Sequence, residues 1–327
     1  MSEPPQHDSG GFEALDTGKD AEGLEVLEAS LPGRGRAVAQ IAFVLAVMIA
    51  PELLGGGVVG WAGAGVLAAL GVALIRPWKK NGLGGVARVG MALGAAGLVL
   101  AGFVYRPRAL LGAAHVSGQS FFLQLTARDL CLLGLALLIV LSDGQRLRQI
   151  GLGGGRLGRE LAFGLLVLGG TYFVHLAAAL PLSAIAFALG GGKAELATRS
   201  GFLRELVSWA EQVSPWEIPL FMGLAGAFEE IVFRGLFITR LRRVTGRWWP
   251  ALFLSAALFG LGHLEEGTLA AFQTAILGLW FGVVFVRRKR LESDIVAHAL
   301  FNTIMFAVMI LVARSGLLDS AQKLLGH

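Results

Sequence analysis

The sequence has little charge and almost no cysteine. Of 327 residues, only 16% are Asp, Glu, Lys or Arg, against about a quarter in soluble domains. That shortfall argues against an ordinary soluble domain. The one cysteine, Cys131, lies inside an apolar run. It excludes an intrachain disulfide and a cysteine metal cluster. There is no HExxH, the helical signature of many zinc proteases. No internal repeat is visible, so an inverted-repeat transporter is unsupported. The first residues are acidic and polar, and no apolar run opens before about Val38, so no signal-peptide pattern is expected.

Hydrophobic residues make up 55% of the chain, and 47 residues are glycine, a composition suited to close helix packing in lipid. Several apolar runs approach the roughly 20 residues that cross a bilayer core. The expected fold is all-α: a polytopic transmembrane helical bundle of about nine spans behind a disordered acidic N-terminal tail. The spans fall near 37–54, 57–76, 86–105, 123–142, 161–183, 216–238, 249–264, 268–286 and 293–313. The organisation expected is a cytoplasmic tail (1–36), accessory helices (37–144), a catalytic membrane domain (145–313) and a C-terminal tail (314–327).

Net charge is +5, yet residues 1–33 alone carry −7 and the remainder +12. The basic excess sits in short loops: Arg34 and Arg36, then Arg76, Lys79 and Lys80, the group from Arg146 to Arg159, the group from Arg240 to Arg247, and "RRKR" at 287–290. With nine alternating spans these five clusters share one side, which the positive-inside rule makes cytoplasmic. They call for no nucleic acid. Arg106 and Arg108 fall on the opposite side. The segment "GFLRELVSWAEQV" reads as an amphipathic interfacial helix.

Three polar clusters interrupt the last four spans. The first lies in "LAGAFEEIVFRGLF", residues 224–237. Ionisable groups inside a membrane must be paired, hydrated or neutral, and they mark functional sites by default. Glu230 and Arg234, four residues apart, share a helix face and can pair. Glu229, rotated by about 100°, is left for another partner. A carboxylate between burial and a nearby cation can act as a general base. The bland alternative is a charge pair that locks helices. The second cluster is "FGLGH", ending at His263. His263 reads as a base, a hydrogen-bond partner, a metal ligand or a plain interfacial histidine. The third is "HALFN", which puts His298 and Asn302 on one face. Both can donate to an oxyanion or serve as glue between helices. Together they supply a base, a water-orienting group and oxyanion donors. Glu229, His263 and His298 could equally hold a divalent metal such as zinc.

"EEIVFR", "FGLGH" and "HALFN" resemble, in order, the EExxxR, FxxxH and HxxxN motifs of the CAAX protease and bacteriocin-processing (CPBP, or Abi) family of intramembrane endopeptidases. The resemblance covers about residues 145–313 and leaves the first four spans without a role. It implies that Glu229 activates water, His263 helps hold it, His298 and Asn302 stabilise the oxyanion, and Glu230 and Arg234 give electrostatic support. The family has been described both as metalloproteases and as glutamate-dependent enzymes. The reading favoured here needs no metal.

The implied partners are the lipid bilayer and a membrane-associated protein or peptide substrate. A Gly-rich, Arg-rich chain suggests a bacterial inner membrane, which weighs against prenylated tails and leaves C-terminal tails or sorting signals as substrates. The rival is a non-proteolytic scaffold or bacteriocin-immunity-type protein. With straight spans, His263 and His298 would differ in depth by about 10 Å or more. Glu265 and Glu266, in "LEEG", read as solvated loop residues.

Overall fold

The computed structural model describes residues 31–53 and 118–316. The expected spans at 57–76 and 86–105, most of the acidic tail, Arg76, Lys79, Lys80, Arg106 and Arg108, and residues 317–327 lie outside the described residues. Among the described residues the secondary structure is helical, with no strand. In chain order the helices are α1 (Arg34–Leu53), α2 (Gly118–Ser142), α3 (Leu157–Ala188), α4 (Gly192–Ala210), α5 (Glu217–Glu229), α6 (Thr239–Thr245), α7 (Trp248–Leu261), α8 (Thr268–Arg288) and α9 (Glu292–Arg314). A π-helical segment, Glu230–Ile238, joins α5 to α6, and both junction residues keep helical backbone angles, so residues 217–245 form one continuous rod.

Among the described residues, three helices are long and apolar enough to cross a membrane: α3, α8 and α9. The protein is an integral membrane protein on that pattern. α3 carries its large apolar side chains outward, with Leu165, Leu166, Phe173 and Leu180 each at least 60% exposed. Such a surface is stable only against lipid or a partner. α7 has 14 residues, about 21 Å at 1.5 Å per residue, short of the bilayer core. Of the segment expected at 201–213, residues 201–210 belong to α4, which begins nine residues earlier, and 211–213 lie past its end.

One core cluster joins α1 and α2 (Phe43, Val44, Leu135, Ile139) to the π segment (Val232, Phe237) and to Trp248 and Leu252 of α7. The accessory helices and the motif-bearing helices therefore share one packed interior. Glycine permits the closest crossings. A Cβ on Gly226 would stand 3.1 Å from the Ala299 backbone nitrogen, and one on Gly260 only 2.5 Å from the Ala271 carbonyl oxygen. These contacts press α5 on α9 and α7 on α8, the small-residue packing expected where lipid gives no hydrophobic drive.

Candidate active site

The first motif sits at the start of the π segment, and all nine residues 230–238 are buried. A π stretch widens the helix and loosens its hydrogen-bond ladder, which is why such segments are rare and gather at functional sites. Its displaced carbonyls find other donors here. The Thr239 hydroxyl lies 2.8 Å from the carbonyls of both Gly235 and Leu236. The Ser255 hydroxyl, from α7, donates to the Phe233 carbonyl at 2.9 Å.

Glu230 and Arg234 meet as the i, i+4 spacing requires, with Nε 3.2 Å from Oε2 and both side chains fully buried. Arg234 also donates to the Gly278 carbonyl at 3.4 Å. Its guanidinium lies 4.6 Å from the centre of the Phe259 ring and 5.4 Å from that of Phe281, a cation–π setting that helps hold a charge out of water.

Glu230 has a second partner that the sequence reading did not assign. Its Oε1 accepts from His298 Nδ1 at 2.7 Å. His298 Nε2 lies 3.3 Å from Oε2 of Glu229. The imidazole is thus held between the two adjacent glutamates, stacked on Phe281 at 5.0 Å and 18°. Glu229 keeps 18% of its side chain exposed, while Glu230 keeps none. Of two neighbouring carboxylates, one is sealed and doubly engaged and the other is partly open. Asn302, one turn beyond His298, is half-buried.

His263 lies just past the end of α7. Its Nδ1–H donates to the Phe259 carbonyl at 2.9 Å, since a carbonyl only accepts. That leaves Nε2 as the nitrogen facing outward, 4.0 Å from Glu266 Oε1. The depth mismatch expected between the histidines is bridged by one ring: Phe259 packs on His263 at 5.0 Å and on His298 at 6.1 Å. Glu266 is less solvated than its loop position suggested. About a third of its side chain is open. Burial is the main cause that pushes its carboxyl above the ordinary value, and the charge of Glu229 adds to it, against the opposing pull of His263 and Arg199.

For a metal, the sequence offered Glu229, His263 and His298. Among the described residues no group of three or more His, Cys, Asp or Glu side chains converges as a ligand set. His298 and Glu229 meet at 3.3 Å, and His263 Nε2 lies 4.0 Å from Glu266 Oε1. No step below is routed through a metal.

Residues missed at the sequence level are mostly apolar or distant. Phe281 holds His298 by its face, and a phenylalanine in an apolar span carries no signal of that role. Gln273 was legible as a polar residue inside a span. It is buried and links Arg199 of α4 (2.9 Å) to His175 of α3 (2.9 Å).

Residues 211–304 match the family described as type II CAAX prenyl endopeptidase Rce1-like. This is the family that the three motifs resemble, and all three lie inside the matched segment, while α1 to α4 lie outside it. No curated protein and no solved structure matches the chain.

Proposed function

We propose, from the Rce1-like segment and the geometry of its polar side chains, that this protein is an intramembrane endopeptidase hydrolysing a peptide bond of a membrane-associated protein or peptide. The observation that carries the reading is the asymmetric glutamate pair around His298: Glu230 buried and bonded at 2.7 Å, Glu229 at 3.3 Å and partly open. Glu229 takes a proton from water, and the water oxygen bonds to the substrate carbonyl carbon. His298, with both ring nitrogens protonated and Nδ1–H fixed on Glu230, turns Nε2–H toward the developing oxyanion. The Asn302 amide is the second donor. His263 Nε2 steadies the water. The C–N bond then breaks, and the proton held by Glu229 goes to the leaving nitrogen. Glu230 and Arg234 set the orientation and field of His298 without touching substrate.

The substrate class follows the family at its coarsest: a segment near the membrane end of a protein. C-terminal tails or sorting signals, in a bacterial inner membrane, are the substrates we favour. The test compares protein termini in membranes and secreted fractions of native cells carrying wild type or Glu229→Gln at matched levels. A terminus formed only by wild type is expected. Identical termini, beside a deletion phenotype that Glu229→Gln still complements, would favour a scaffold or immunity protein instead.

A further inference from the structure

The rod that carries the glutamates also carries a second buried charge. Arg240 lies ten residues beyond Glu230, about 15 Å along the axis. It is fully buried, and apart from its neighbour Thr239 (3.3 Å) its hydrogen-bond partners come from outside the matched segment. Nη2 donates to Asp143 Oδ2 at 2.9 Å, just past α2, and Nε donates to Gln40 Oε1 at 2.9 Å, on α1. Gln40 in turn donates to Asp143 at 2.8 Å, and Arg36 pairs with the other Asp143 oxygen at 2.7 Å. Gln40 is fully buried, and the Asp143 side chain is 3% exposed. One turn on, Arg243 donates to the Pro32 carbonyl at 3.1 Å.

A buried ionic group seldom adds stability over an apolar one of the same shape, and its best-attested use is to fix a register. A register is at stake here. The π segment lies between α6, held by this cluster, and α5, pressed on α9 at Gly226. Relaxing the segment by one residue toward α geometry would rotate one half of the rod against the other by about 100°. Glu229 and Glu230 sit at that junction.

We propose that Asp143 and Gln40 are positioning residues for the glutamate pair: by pinning Arg240 they hold the π register that presents Glu229 and Glu230 to His298. The inference rests on the proteolytic reading of that site, and it gives the accessory helices a task in it.

The test uses the full chain in membranes, with two readouts. One is the rate of forming the Glu229-dependent terminus per folded molecule. The other is amide hydrogen exchange over residues 230–238. Gln40→Met keeps size and leaves the Arg240–Asp143 pair intact, so it folds. It should lower the rate per folded molecule about tenfold, since small displacements of a reacting group cost up to about a hundredfold, and speed exchange across the π segment. Asp143→Asn should do both more strongly and also lower the amount of protein. A purely structural role would reduce amount while leaving the rate per folded molecule and the 230–238 exchange unchanged, and that result overturns the proposal. If wild type forms no Glu229-dependent terminus, the proteolytic reading fails and exchange alone decides. Faster exchange in Gln40→Met keeps the anchor, and unchanged exchange removes it.

Discussion

Two buried arginines on one helical rod have opposite surroundings. Arg240 meets Asp143 at 2.9 Å and Gln40 at 2.9 Å, in a group drawn from α1, α2 and the rod itself. Arg234, six residues earlier, is held more loosely. Its carboxylate is at 3.2 Å, its carbonyl acceptor at 3.4 Å, and two aromatic rings lie over it. Its Nη1 and the Oε2 of Glu230 are buried without a hydrogen-bond partner. The tight cluster fixes position. The looser group includes Glu230, the neighbour of Glu229, whose carboxylate is partly open.

The sharpest way to break that contrast is at Glu229. Glu229→Gln is nearly isosteric, so thermal stability should hold. Cleavage should fall by about a hundredfold to ten-thousandfold, the usual worth of a general base. Product formation and a melting curve on the same preparation check both halves.

Next come the arginines. Arg234→Ala leaves the fully buried Glu230 with His298 as its remaining partner, at 2.7 Å, whereas Asp143, on loss of Arg240, would keep both Arg36 and Gln40. It costs up to about 3–5 kcal/mol and should lower abundance and melting temperature. Arg240→Ala leaves Asp143 still paired with Arg36 at 2.7 Å, so its cost should be smaller. Melting temperatures in the reverse order would undo the account of the two clusters.

A smaller loss is expected at the helix crossing. Gly260→Ala puts a methyl 2.5 Å from the Ala271 carbonyl oxygen and 2.7 Å from the Ala275 methyl. α7 and α8 must part, at about 1–3 kcal/mol, which denaturation against wild type would read.

The smallest effect is at Glu266. Its folded carboxyl is held above its unfolded value by burial first and by Glu229 second. The folded state therefore keeps a proton that the unfolded state gives up. The group costs nothing at pH below its unfolded value, and stability is lost as pH rises through that value toward the raised one. Glu266→Gln should flatten this slope, with little change at low pH and a slight gain near neutrality. Its partial exposure screens the effect. Melting temperatures across that range compare the two.

Much of the candidate site was legible because charge in an apolar span is rare and costly. Glu229, Glu230, Arg234, His263, His298 and Asn302 all stood out against their spans, and the i, i+4 rule gave the Glu230–Arg234 pair directly. Periodicity could not show that His298 would lie between both glutamates, because that contact joins residues 68 apart. Nor could it show the π segment, since "EEIVFRGLFI" has no proline, and its one glycine, Gly235, does not single out a π turn. While the rod expected at 216–238 runs on to Thr245, α8 and α9 fell within two residues of their expected limits. The length of α7 did not: "LGHLEE" closes as a turn and leaves His263 beyond the helix end. Gln40 and Asp143 were visible as polar residues in or beside apolar runs, and their shared partner, Arg240, had been read only as part of a basic loop.

The most direct test of the central claim is cleavage by reconstituted protein in water enriched in oxygen-18, using a peptide that spans the terminus found in cells. Wild type should place one heavy oxygen in the new C-terminal carboxylate, and Glu229→Gln should form no labelled product above background. Labelled product from Glu229→Gln at the wild-type rate would contradict the assignment of Glu229 as the base that activates water.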